Sequence, residues 1–186
     1  MKRIFVFSLL AVLLPCCASA HDFIVDGICY NITSEEERTV EVTCNEDEKY
    51  AIKRKFYKDV VFVPEKVTFD SKEYTVSAIG ERAFTDHEEL LSVVMPNTLL
   101  VIKDCAFVRC PQLKSITIPA SVTEIEPGAF QILGSLTNLA VDEGNKVYDI
   151  RKGCNAIIRS KTATLLFGCK STIIPDGVES IGERAF

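Results

Sequence analysis

Apolar and polar positions recur along this chain with a long period, not with the short period of a single helix or strand. The string Val-x-x-Ile-x-x-x-Ala-Phe appears at Val76, Ile79, Ala83 and Phe84. It returns with Leu for Val at Leu99, Ile102, Ala106 and Phe107, then at Val122, Ile125, Ala129 and Phe130. A last copy stands at Val178, Ile181, Ala185 and Phe186. Phe84, Phe107 and Phe130 follow one another at intervals of 23 residues. Other positions keep the same step: Leu90, Leu113 and Leu136; Val93, Ile116 and Leu139; Met95, Ile118 and Val141. Pro96 matches Pro119, and Pro64 and Pro175 precede the outer copies. Self-similarity at a fixed period of this length is the mark of stacked structural repeats.

One copy has too few apolar side chains to bury its own face, so copies stack and bury each column against the next. Leu113 to Ile118 predicts a short strand with alternating inward residues. Pro119 ends it, because proline has no N–H to continue a ladder. The stretch from Val122 through Ile125 to Phe130 then turns the chain back. Phe84, Phe107, Phe130 and Phe186, with Ile79, Ile102, Ile125 and Ile181, form the expected repeat core.

These residues resemble the BspA-like leucine-rich repeats of bacterial cell-surface proteins, over about residues 22–186. The most specific match is Ser115-Ile116-Thr117-Ile118-Pro119-Ala120-Ser121-Val122, followed by Ile125 and Ala129-Phe130. Asp26 to Ile32 resembles the family's N-terminal cap. Val141-Asp142-x-Gly144-Asn145 and Cys154 to Ile158 resemble its irregular insert. The resemblance implies a leucine-rich-repeat solenoid of the α/β horseshoe class, dominated by short strands and turns with few short helices. It also implies a surface role in protein binding or adhesion, including to host extracellular glycoproteins.

The flanking segments divide the chain further. Residues 21–60 read as an N-terminal β cap: Phe23 to Ile32 and Thr39 to Cys44 are expected strands, joined by the acidic turn Ser34 to Arg38. Residues 61–186 read as repeats with a hairpin insert near 68–75 and an irregular insert near 142–170. The second insert is expected to pair 155–160 with 163–169 around Lys161-Thr162. The chain stops at Phe186, inside a repeat, so the C-terminal end reads as incomplete. A bare apolar end there would favour end-to-end self-association.

Residues 1–20 read as a targeting segment. Lys2 and Arg3 precede the apolar run Ile4 to Leu14, and Ala18-Ser19-Ala20 supplies a small-x-small ending. This is the layout of a secretory signal peptide cleaved after Ala20. The run is shorter than the ~20 apolar residues that span a bilayer, and no other run is apolar enough to be a transmembrane segment. A rival reading places lipoprotein processing at Cys16 or Cys17. Cleavage after Ala20 removes two basic residues and two cysteines, leaving 166 residues of net charge −7 with six cysteines.

Composition narrows the chemistry. The full chain of 186 residues is 47% hydrophobic with net charge −5, which excludes a disordered chain and argues against a nucleic-acid partner. Export would allow disulfides to persist. Cys29 falls opposite Cys44 if the first hairpin has a four-residue tip. Cys154 falls opposite Cys169 if the second has a two-residue tip. The alternative for each is a buried free thiol. Cys110 reads as a small core residue and Cys105 as an exposed free thiol.

No catalytic constellation, zinc-type spacing or phosphate loop appears, so the chain reads as a non-enzyme with no cofactor. His87 shares a column with Cys110 and Leu133, a structural position. His21, as a new N-terminus, could chelate copper only with His87 as partner, an arrangement that the repeat pattern does not favour. The candidate binding strip is the outward ladder Ser92, Ser115, Asn138 and Ser171 with its neighbour Val94, Thr117, Ala140 and Ile173. Its small uncharged residues would let an extracellular protein partner approach closely. The alternative function is a structural or glycan-contacting module of a larger surface protein.

Overall fold

The structure is a computed structural model that describes residues 21–44, 57–151 and 153–186. The expected targeting segment lies outside the described residues. The N-terminal segment forms β1 (Phe23–Val25), β2 (Ile28–Ser34) and β3 (Thr39–Thr43). Then come β4 (Asp59–Phe62), β5 (Lys66–Phe69) and β6 (Lys72–Ile79). The regular repeats supply β7 (Leu90–Val94), β8 (Val101–Ile102), β9 (Phe107–Val108), β10 (Ser115–Ile118), β11 (Glu124–Ile125), β12 (Phe130–Gln131) and β13 (Asn138–Val141). The last segment holds β14 (Tyr148–Asp149), β15 (Ala156–Arg159), β16 (Thr164–Gly168) and β17 (Ser180–Ile181). Among the described residues, helix is confined to a 3-10 turn at Ser160–Thr162.

Each regular repeat contributes three short strands to three parallel ladders. Ser92, Ser115 and Asn138 are direct neighbours in the first. Ile79, Ile102 and Ile125 are neighbours in the second, and Phe107 and Phe130 in the third. The register therefore equals the sequence period. Sequence pattern predicted one strand per repeat and missed the two-residue pieces β8, β9, β11 and β12, which are too short to show alternation.

The columns close the core. Phe84, Phe107 and Phe130 stack at centroid distances of 5.1 and 5.4 Å, within the range that offset aromatic pairs favour. The stack does not end with repeat residues. Tyr57 packs on Phe84 at 5.0 Å and Phe167 on Phe130 at 5.2 Å. Phe186 and Ile181 correct the expected core: they are 70% and 52% exposed, and Phe167 of the insert, not Phe186, takes the stacking place after Phe130.

Polar side chains also follow the period. Thr98, Ser121 and Asn145 donate to the carbonyls of Val76, Leu99 and Val122 at 2.8, 2.6 and 3.0 Å. Each bond ties one repeat to the one before it. Arg82, Cys105, Gly128 and Arg184, the equivalent position of four copies, all have left-handed backbone. Gly128 is the one member of that column for which this conformation carries no steric cost.

At the N-terminal end the expected strand Phe23 to Ile32 is two strands. Asp26 and Gly27 both have positive φ and turn β1 back on β2, the Asp-Gly signature of a tight hairpin. β3 lies parallel to β6, so this unit extends the ladder of β6, β8 and β11. β5 and β6 form the inserted hairpin around Asp70-Ser71. β15 and β16 form the second, around residues 160–163. β16 runs parallel to β17 and so carries the final repeat.

Candidate functional site

The first ladder is the sheet ordered β13-β10-β7-β4. Its inward residues, Leu90, Val93, Ile116, Ile118 and Leu139, are buried, which turns the residues between them outward. Ser115 sits between Ser92 and Asn138, and Thr117 beside Ala140. Six of the eight predicted strip residues are thus brought together on one face.

Ser171 and Ile173 are not part of that face. They lie outside the strands; Asn155 occupies the edge of β13, and the Ser171 hydroxyl beside it donates to the Thr137 carbonyl at 3.3 Å. The Asn155 amide accepts from the Leu139 N–H at 2.7 Å and donates to the Thr137 carbonyl at 2.7 Å. It also donates to the Ser171 hydroxyl at 2.5 Å. The insert thus closes the edge of β13 with a side chain where the repeat period called for a strand.

The opposite edge is β4, which straddles the expected boundary between the cap (21–60) and the repeats (61–186). β4 pairs with β7 so that Val60 lies beside Ser92 and Phe62 beside Val94. Val60, Phe62 and Val94 are 42%, 69% and 46% exposed. The signal for this strand was Pro64, which follows Val61 and Val63 as Pro96 follows Val93 and Met95. Asp59, Glu88 and Glu89, at the starts of β4 and β7, line a shallow cleft of about 600 Å³ with Leu91, Pro111 and Gln112.

The two expected disulfides are corrected. No disulfide joins any two of the six described cysteines. Cys29 pairs with Thr43, not Cys44, because the strands slip by one residue near Thr33. In the second hairpin a slip after Ile157 places Gly168 opposite Ala156. Cys169 then meets Asn155, whose amide lies 3.2 Å from its sulfur. Cys154 packs into a separate small cluster with Ala156, Ile158 and Leu165, away from Cys169 against the main core.

Burial favours the protonated thiol at Cys29, Cys105 and Cys110. It pushes Cys29 up to about 11, although a hydrogen bond with Tyr57 acts the other way. It pushes Cys110 up to about 12, and the Cys110 thiol donates to the Phe84 carbonyl at 2.8 Å. Cys105 is half-buried and bonded to Asp104, and burial again raises it. His87 is 1% exposed and packs its ring 4.9 Å from Tyr57. Among the described residues, no three His, Cys, Asp or Glu side chains form a group that could hold a metal ion. No described helix is long and apolar enough to cross a membrane.

Parallel ladders in register at every 23 residues around Leu, Ile and Phe columns define a leucine-rich-repeat solenoid. The chain belongs to the BspA-type leucine-rich repeat proteins: the model of the BspA type leucine rich repeat region matches residues 52–186 in six copies. A leucine-rich repeat protein from Bacteroides ovatus ATCC 8483 is 26% identical, with 67% of this chain and 38% of that one covered and a TM-score of 0.42. One from Bacteroides capillosus ATCC 29799 is 25% identical, with 64% and 97% covered and a TM-score of 0.44. The pneumococcal vaccine antigen PcpA is 14% identical, with 88% and 61% covered and a TM-score of 0.53, a likeness of fold alone. The chain thus spans little over a third of the first of these proteins. No curated protein matches it significantly.

Proposed function

We propose that this chain is an exported surface protein that binds another protein through the outer face of β7, β10 and β13. The observation that carries this reading is the row of small, uncharged side chains there. Ser92, Ser115, Thr117 and Ala140 stand side by side with no charge and little bulk. A flat or extended polypeptide can approach such a face to backbone distance, and stacked repeats commonly offer surfaces of this kind. The basic and apolar residues 1–20 support export.

The test is saturable binding of the purified chain to immobilised extracellular-matrix glycoproteins, run beside a glycan array. Ser115→Arg and Thr117→Arg place a long charged side chain in the middle of the face without touching the core. Protein binding lost in both variants at unchanged melting temperature supports the reading. Binding that both variants retain, or binding to glycans alone, overturns it.

A further inference from the structure

The strip of small residues changes character at its β4 edge. We infer that this edge anchors a polypeptide segment of the partner that is both apolar and basic, an inference that rests on the protein-binding reading above. Phe62 and Val94 are direct neighbours across the β4–β7 pairing, and Val60 stands on the same face. All three are exposed, so they form one apolar patch instead of scattered surface residues. Contiguous exposed apolar area of this kind marks an interaction surface. Binding energy concentrates on a few large apolar or aromatic anchors, and the rest of the sheet offers none of comparable size.

The charge beside the patch selects the partner. Asp59 and Glu88 place exposed carboxylates in the cleft at the starts of β4 and β7, beside the uncharged Leu91, Pro111 and Gln112. A lysine or arginine next to an apolar side chain can lay its stem on the patch and its charge in the cleft. The whole chain carries net charge −5, which speeds encounter with a basic partner. The same charge disfavours an anionic membrane, and disfavours a second copy meeting this face with its own acidic cleft.

The experiment selects random linear phage-displayed peptides on the full chain, then measures the affinity of the enriched peptides. Peptides rich in Lys or Arg beside Leu, Ile or Phe are expected. Their affinity falls about tenfold or more on Phe62→Ser, and by a similar factor on Glu88→Lys. Val94→Thr, nearly isosteric and at an exposed position, is the second variant should Phe62→Ser lower the melting temperature. Selection of acidic peptides, or of none, overturns the inference, as does dimerisation of the chain that Phe62→Ser abolishes. Ser115→Arg separates the two readings. Binding lost on Ser115→Arg but kept on Phe62→Ser overturns the anchor and leaves the sheet reading intact. The reverse pattern keeps the anchor and overturns the sheet reading.

Discussion

Gly80 sits where the cap meets the first repeat. A Cβ there would stand 2.7 Å from the Val42 carbonyl oxygen. The Gly80 N–H donates to that same oxygen at 2.8 Å, so the backbone cannot withdraw without losing the bond. The register slip between Val40 and Glu41 in the β3–β6 pairing lies at this crossing. Gly80→Ala is therefore expected to destabilise by about 1–3 kcal/mol, seen as a lower melting temperature and faster amide exchange in β1 to β3. The cysteines give a second expectation at this scale. Cys105 and Cys169 are half-buried, while Cys29, Cys44, Cys110 and Cys154 are buried. An alkylating reagent at mildly alkaline pH is expected to modify the first two in the native protein and all six only after denaturation. A peptide map with two of these cysteines joined would contradict it. Hairpin registers explain why sequence alone paired them: a bulge moves every later residue to the other face, and nothing in the residue types announced either slip.

Among the elements, strand edges decide how the solenoid is closed, and two tyrosines do the same work at its two ends. The Tyr57 hydroxyl accepts from the Cys29 N–H at 3.0 Å and donates to the Thr43 carbonyl at 2.9 Å. The Tyr148 hydroxyl accepts from the Ile125 N–H at 2.9 Å, at the strand that ends the ladder of β6, β8 and β11. Each hydroxyl accepts from a buried backbone N–H. Tyr148→Phe leaves the Ile125 N–H without its acceptor and is expected to cost about 1–3 kcal/mol. Differential scanning calorimetry checks this, and an unchanged midpoint would contradict it. These closures were not legible in the sequence, because they lie outside the period. The repeat columns were legible: Phe84, Phe107 and Phe130 are buried as their spacing required. The ring that continues them is Phe167, which shares no column with them, whereas the period pointed to Phe186. β4 was hidden because its preceding residues break the pattern, so only Pro64 marked it as a repeat strand.

Across the whole molecule, one contiguous core runs from Phe23 in the cap to Phe167 in the insert. That core holds acidic groups in their neutral forms. Burial raises Cys29 from 9.0 to about 11 and Cys110 from 9.0 to about 12. It also pushes the Tyr30 and Tyr57 hydroxyls well above their ordinary value. When the folded-state pKa is the higher one, the unfolded chain releases its proton first, and rising pH favours unfolding. The stabilisation is complete below about pH 9 and is lost as pH climbs through the folded-state values near 11 and 12. The exposed pairs Lys66 with Glu73 and Lys72 with Glu35 act in the same direction on the lysine side, but solvent screens them. Glu35 itself is lowered by Tyr74 and Lys72, so its contribution is lost only on acidification and leaves the alkaline window unchanged. The melting temperature is therefore expected to stay level from neutral pH to about 9 and to fall steadily above it. Cys29→Ala with Cys110→Ala removes two of the titrating groups, so the double variant should begin lower and fall less steeply. A decline of equal slope in both proteins would show that the buried thiols do not govern the alkaline limit.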